Sequence, residues 1–169
     1  MTLLPDAYFA QFTDITPEYL AARGIRALLI DIDNTLAPYE QPDPTPETLA
    51  WFAALAEAGI KAALISNNHA DRVERFNAPL GLPAYPDAHK PLTKTARAAL
   101  AGLGVTPDDA ASLGDQIFTD LLCARFCGMQ AIIVPPIRDK RSFFWRFKRA
   151  LERPILSRWH KKNGDFTRP

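Results

Sequence analysis

The sequence predicts an α/β fold with a parallel central sheet, and three observations carry that expectation. Four short apolar runs, Ala27-Leu28-Leu29-Ile30, Ala62-Ala63-Leu64-Ile65, Ala111-Ser112-Leu113 and Gln130-Ala131-Ile132-Ile133-Val134, have the near-continuous hydrophobicity of strands buried on both faces. Segments of helical pattern separate them, as crossovers between parallel strands require. Each run stops at a polar residue, a glycine or a proline. At 169 residues, 47% hydrophobic and 23% charged, the chain is long enough for one compact core and too ordinary in composition for global disorder.

The elements follow in order. Near the start, Leu4, Tyr8, Phe9 and Phe12 are expected to pack on the domain. The first strand begins after Gly24 and ends at Asp31. Residues 38–46 are too proline-dense for a helix or a central strand. Thr45-Pro46-Glu47 then opens a helix, with Thr45 as N-cap, proline in the first turn and an acid beside it. That helix carries Leu49, Trp51, Phe52, Leu55 and Ala56 and stops at Gly59. The second strand exits into Ser66-Asn67-Asn68. A helix over about 71–76 follows, then a loop with Pro83 and Pro86, then a helix over 93–103 ending near Gly102 or Gly104. The third strand ends at Gly114-Asp115, a helix over 118–126 closes at Gly128, and Pro135-Pro136 stops the fourth strand.

Composition excludes several classes. No apolar run approaches the roughly 18–20 residues needed to cross a bilayer. The stretch Met1-Thr2-Leu3-Leu4-Pro5-Asp6 lacks the basic and apolar regions of a secretory signal, so a cytoplasmic location is expected. Cys123 and Cys127 are too few for a disulfide framework and, four apart in a helical pattern, read as buried thiols. The net charge of +1 hides an asymmetry. Residues 135–169 hold 11 Lys/Arg against 3 Asp/Glu, and residues 1–134 hold 9 against 16. The expected division is therefore a core over 1–137 and a basic amphipathic tail over 138–169.

Chemistry collects where strands end. Asp31 and Asp33 follow the first strand, Ser66 the second and Asp115 the third, while Lys90 lies in the loop between the second and third. In open α/β sheets the ligand site lies outside the carboxyl ends of the strands. Residues two apart on extended chain face one way, so Asp31 and Asp33 can address one ligand. Clustered carboxylates repel one another unless a cation intervenes, and hard oxygen donors favour Mg²⁺, which also bridges to phosphate. Lys90 and Ser66 can hold remaining phosphate oxygens. One carboxylate can act as nucleophile, and a second can protonate the leaving oxygen and then activate water. Each residue alone has an ordinary reading as a cap, a turn or a solvated charge. Their ordered occurrence at successive strand exits points to a shared phosphate site.

These residues resemble the four motifs of the haloacid dehalogenase (HAD) superfamily. Asp31-Ile32-Asp33-Asn34-Thr35-Leu36 is similar to its DxDxT signature, Ser66 to the motif II hydroxyl, Lys90 to the motif III base and Gly114-Asp115-Gln116-Ile117-Phe118-Thr119-Asp120 to the GDxxxxD form of motif IV. The resemblance implies a Rossmann-like HAD fold and a Mg²⁺-dependent phosphatase working through an aspartyl-phosphate. It makes Asp31 the nucleophile and Asp33 the general acid/base, with Ser66, Lys90 and Asn67 on the phosphoryl group. Asp31, the backbone carbonyl of Asp33 and Asp115 would hold Mg²⁺, with Asp120 a ligand or a partner behind the ligands. More narrowly the chain resembles the YqeG-type branch of subclass IIIA, from Leu4-Pro5-Asp6-Ala7-Tyr8 through the Asp31 motif to the basic tail. That broader family includes phosphatidylglycerophosphate phosphatases, so that lipid is a candidate substrate.

Spacing adds an independent point. Asp31 to Ser66 is 35 residues and Ser66 to Lys90 is 24, and neither gap accommodates a globular cap domain of roughly 50 residues or more. An open site suits phosphate on something large, such as a lipid head group, a protein or a nucleic acid. In the tail, Phe143, Phe144, Phe147, Ala150, Leu151, Ile155 and Trp159 share one helical face and Arg146, Arg149 and Arg153 another, with a break expected at Pro154. That apolar face can dock on the acidic body or on a second subunit, lie on anionic lipid, or contact RNA or the ribosome. The alternative to an enzyme is a catalytically weak HAD-fold module docking through this tail. A phospho-accepting receiver domain is disfavoured, because the two acids of Asp31-Ile32-Asp33 flank one spacer directly after the first strand.

Overall fold

A computed structural model describes residues 2–138 and 143–167, and of residues 143–149 the backbone alone. Six parallel strands form one sheet: β1 (Ala7–Tyr8), β2 (Ala27–Ile30), β3 (Lys61–Ile65), β4 (Ala84–Tyr85), β5 (Ala110–Gly114) and β6 (Gln130–Ile133), in the order β1-β6-β5-β2-β3-β4. The four strands expected from the sequence are all present. β1 and β4 are additions. Each has two residues, too short for a periodic signature, and each is set by its neighbour: Ala7 opposes Ile132, and Leu64 opposes Ala84.

Among the described residues, six α-helices flank the sheet: α1 (Pro17–Ala22), α2 (Pro46–Glu57), α3 (Ala70–Asn77), α4 (Lys94–Leu103), α5 (Leu122–Cys127) and α6 (Phe143–Asn163). The pleat of β2 decides the layers. Leu28 and Ile30 face a cluster with Leu20, Trp51, Leu55 and Phe76. Ala27 and Leu29 face the opposite cluster, with Leu100, Leu121, Cys123 and Trp159. Thr45 caps α2 as expected, its Oγ1 accepting the Thr48 N–H at 3.1 Å. Cys123 and Cys127 are free and buried.

The chain runs from β2 outward to β3 and β4, then crosses back to the other side of β2 to make β5 and β6. Loops leaving β2 and β5 therefore diverge, which opens a crevice at their carboxyl ends. Register sharpens this point: Ile30 opposes Leu113, so the residues after both strands emerge at the same height.

Two expectations are corrected. The helix expected over 118–126 begins instead with a wide turn at Ile117–Leu121, in which the Leu121 N–H reaches back five residues to the Gln116 carbonyl, and α5 follows. Pro154 does not break the tail, because α6 runs through it. The proline removes one N–H, and its partner carbonyl would belong to Ala150, which is exposed and open to water. Anchors on either side hold the helix. Glu152 is buried, and Trp159 donates its Nε1–H to the Pro5 carbonyl at 2.9 Å. Trp159, Ile155 and Leu156 lie against the body of the domain, while the side chains of Phe143, Phe144, Arg146, Phe147 and Arg149 fall outside the described residues. Beyond α6, Phe166 stacks on Tyr8 and Thr167 exchanges two hydrogen bonds with Tyr8, covering the outer edge of β1. Leu4 packs at the core margin, and Tyr8, Phe9 and Phe12 are buried, as the sequence leads one to expect.

Candidate active site

The diverging loops bring the expected residues together. Asp31 leaves β2 with its N–H on the Leu113 carbonyl at 2.9 Å, so the backbone fixes it beside the end of β5. Its Oδ1 meets Lys90 Nζ at 2.7 Å, and its Oδ2 accepts the Thr35 hydroxyl at 3.4 Å. The Lys90 ammonium also meets Asp120 Oδ1 at 2.6 Å. Asp115, at the end of β5, is 1% exposed, and carboxylate oxygens of Asp31, Asp115 and Asp120 lie within 4.8 Å of one another.

Support around these groups explains why they stay. Asn67 bonds the Lys90 backbone at both ends of its amide, Oδ1 accepting the N–H at 2.6 Å and Nδ2 donating to the carbonyl at 3.1 Å. Asn67, which also lines the cleft, therefore aligns Lys90. Ser66 is 1% exposed, and its Oγ accepts the Asn68 N–H at 3.1 Å. Asp120 uses both oxygens: Oδ1 on Lys90, and Oδ2 on the Gln116 N–H at 3.1 Å and the Thr119 hydroxyl at 3.4 Å. The extra residue of the wide turn lets Asp120 point back at Lys90. Gly114 completes this packing, because a Cβ there would overlap the Asp120 side chain.

Asp33 is held apart from the Lys90 cluster. Arg72 on α3 donates from Nε at 3.2 Å and approaches from Nη2 at 3.1 Å, both to Oδ1, and Asn68 Nδ2 donates to Oδ2 at 2.9 Å. Arg72 also donates from Nη1 to the Pro42 carbonyl at 3.1 Å, tying the proline-rich segment to α3. Sequence reasoning missed both partners. Asn68 was within reach, since it continues the polar exit of β3. Arg72 carries no local signal, because only the docking of α3 brings it to the motif. Asn34, inside the Asp31 motif, takes a left-handed backbone (φ 68°). A cleft of about 330 Å³ opens over the site, lined by Asp31, Asp33, Ser66, Lys90, Thr119 and, at its rim, Tyr39.

Electrostatics follow from burial. Removal from water pushes the Asp31 carboxyl up to about 8, Lys90 opposes that rise, and Asp120 and Asp115 add to it. Burial pulls the Lys90 ammonium down, but Asp120 and Asp31 outweigh it and hold it above the ordinary lysine range. With all groups ionised, three carboxylates face one ammonium. The excess of two negative charges, carried by hard oxygen donors, fits a divalent cation of the Mg²⁺ kind.

Comparison with known proteins decides the family. A family model described as haloacid dehalogenase-like hydrolase matches residues 16–128. The chain belongs to the haloacid dehalogenase-like hydrolases. Among relatives of this hydrolase, the "Probable phosphatase YqeG" of Bacillus subtilis is 37% identical over 159 residues, covering 94% of this chain and 92% of that one. "Phosphatidylglycerophosphate phosphatase 1, chloroplastic/mitochondrial" of Arabidopsis thaliana is 27% identical over 95% of this chain, which spans 49% of the plant protein's length. A solved structure of the cobalt-bound deoxy-D-mannose-octulosonate 8-phosphate phosphatase of Haemophilus influenzae has a TM-score of 0.55 at 16% identity, covering 82% of this chain and 91% of that one, a likeness of fold. Family and relatives together make this haloacid dehalogenase-like hydrolase a phosphatase. No large cap interrupts its fold among the described residues, since Asp31 to Ser66 holds only α2 and β3, and Ser66 to Lys90 only α3 and β4. No helix among the described residues is long and apolar enough to cross a membrane.

Proposed function

We propose that this phosphatase hydrolyses a phosphomonoester with Mg²⁺ through an aspartyl-phosphate on Asp31. The observation that carries the reading is the buried Asp31–Lys90–Asp120 arrangement at the mouth of the cleft, with Asp115 beside it. Asp31, the Asp33 backbone carbonyl and Asp115 would hold the cation, which supplies charge stabilisation for the transferring phosphoryl group. Asp120, with both oxygens already engaged, holds Lys90.

The steps fall to the chain's own residues. A carboxylate oxygen of Asp31 attacks phosphorus in line with the ester oxygen, and the P–O bond to the leaving group breaks. Asp33 gives its proton to the departing alkoxide. Lys90 and Ser66 bind the equatorial oxygens, where negative charge accumulates. Asp33, now ionised, takes a proton from water, which attacks phosphorus and frees Asp31 and inorganic phosphate. Thr35, on the Asp31 carboxylate, keeps the nucleophile's second oxygen oriented.

The uncapped cleft favours a phosphate presented on a large body, and a lipid head group of the phosphatidylglycerophosphate kind is the substrate class favoured here. Exposed Arg153, Arg158, Lys161 and Lys162 on α6 would suit an anionic bilayer surface. The test is turnover of phosphatidylglycerophosphate in mixed micelles beside p-nitrophenyl phosphate, phosphosugars, nucleotides and phosphopeptides, each with Mg²⁺ and with chelator. Mg²⁺-dependent release of phosphate that Asp31→Asn abolishes is expected. Full activity in that variant refutes the nucleophile. Cleavage of the generic ester but not of the lipid refutes the lipid substrate.

A further inference from the structure

Glu152 is a buried acid that this mechanism does not use. It lies on α6, which the charge pattern of the sequence assigns to a tail, yet it is 1% exposed. Its Oε1 accepts the Ile117 N–H at 2.9 Å, a contact that is itself buried. Ile117 opens the wide turn, two residues after Asp115 and three before Asp120. The turn carries Asp120, the carboxylate that holds Lys90, and the residues leading into it carry Asp115, the expected metal ligand. Its hydrogen bonds run back from the Asp120 and Leu121 N–H groups to the Gln116 carbonyl and from the Leu122 N–H to the Ile117 carbonyl, and the Ile117 N–H, at the start of the turn, bonds outward. Among the described residues, Glu152 on α6 supplies that acceptor.

A second observation places the two parts in one space. A cavity of about 170 Å³ behind the site is lined by Asp115 from the loop and by Glu152 and Leu156 from the helix. Burying a carboxylate is expensive unless strong hydrogen bonds compensate, and an N–H donor to a charged acceptor is among the stronger ones. A helix serving only as a surface tag would have no reason to send an acid into the domain at that point.

We propose that Glu152 is a positioning residue for the metal-bearing loop, and that α6 is thereby an integral part of the active site. Glu152 fixes the start of the turn through Ile117 and so sets where Asp115 and Asp120 sit relative to Asp31. The inference rests on the proposed Mg²⁺ site, and its test separates the two.

The experiment compares the unsubstituted full chain with Glu152→Ala, Glu152→Asp, Glu152→Gln and Trp159→Phe. Mg²⁺ binding is read by calorimetry, Ile117 amide protection by hydrogen exchange and stability by thermal unfolding. Glu152→Ala and Glu152→Asp, which lose or shorten the acceptor, are expected to weaken Mg²⁺ binding by about tenfold and to expose the Ile117 amide. Glu152→Gln keeps an acceptor oxygen and should stay within about threefold of the unsubstituted chain. Trp159→Phe loses the bond to Pro5, loosens the same helix elsewhere and should lower the melting temperature while leaving Mg²⁺ affinity unchanged. Unchanged Mg²⁺ affinity in a folded Glu152→Asp or Glu152→Ala protein overturns the positioning role. Equal weakening in Trp159→Phe overturns it too, by assigning the effect to helix docking in general. Failure of the unsubstituted chain to bind Mg²⁺ refutes the metal reading itself, and the exchange data then still report whether Glu152 anchors the turn.

Discussion

Replacing Lys90 by methionine keeps an unbranched side chain of similar length and deletes only the ammonium. In the native chain that ammonium is almost fully buried between two carboxylates, 2.7 Å from Asp31 and 2.6 Å from Asp120. Without it, Asp120 loses the ammonium 2.6 Å from its carboxylate, and Asp31, already pushed up to about 8 by burial, loses the charge that opposed that rise. Breaking a buried ion pair by removing one partner costs about 3–5 kcal/mol. Each kcal/mol moves the melting temperature of a domain this size by roughly 2–4 °C, so a drop of roughly 6–20 °C is expected at pH 7.5. The drop should narrow in millimolar Mg²⁺, since a divalent cation replaces part of the missing charge. Thermal unfolding by circular dichroism at pH 7.5, with Mg²⁺ and with chelator, reads both effects. Turnover of p-nitrophenyl phosphate should fall by about 10²–10³-fold, as for loss of one charge-stabilising donor. A variant that unfolds within 2 °C of the native chain at pH 7.5 would show that the cluster does not hold these charges, and the account of the site would fail with it.

Other perturbations read other parts of the site. Asp31→Asn should abolish hydrolysis yet melt higher than the native chain at pH 8. Between the ordinary carboxylate value and about 8, the folded native state binds a proton that the unfolded chain has lost, so native stability declines as pH rises through that window and the variant's does not. The melting-temperature gap, followed by calorimetry from pH 5 to 8, should therefore widen, and a constant gap contradicts the burial argument. Arg72→Met frees Asp33 from α3. Alkyl phosphates need a protonated leaving oxygen, so their kcat/KM should fall by about 10²-fold, while p-nitrophenyl phosphate, with its good leaving group, should lose only a few-fold. Equal losses on both esters mean that Arg72 does not act through the general acid. Gly114→Ala forces Asp120 aside, so activity should drop by about 10²-fold and the melting temperature should fall, both measurable in one preparation.

Much of this architecture was legible because its signals are local. The runs 27–30 and 62–65 are apolar on both faces, as a central parallel strand demands. Asp31, Ser66, Lys90 and Asp115 were legible as a set because strand exits converge by topology, whatever the intervening loops do. The illegible parts depend on contacts between distant segments. β1 exists because Ile132 and Ile133 offer it an edge. Arg72 reaches Asp33 only once α3 has docked, and Glu152 finds Ile117 across 35 residues. Pro154 misled because a rule about helix interiors assumes that the orphaned carbonyl matters, and on an exposed turn water takes it. The bond between Asn67 and the Lys90 backbone was illegible for the same reason as Arg72, because it joins residues 23 positions apart. The Asn67 side chain lines the cleft while its amide also holds the Lys90 backbone.

The pairing of β1 has a consequence for how the molecule is made. Ala7 finds its strand partner at Ile132, and the far margin of Tyr8 waits for Thr167, 159 positions later. A ribosome thus releases the first strand long before anything exists to flank it, while β2 and β3 can pair early. Contacts of such long sequence separation slow folding. During synthesis, the Tyr8 edge is an unmatched seam until Thr167 has left the ribosome.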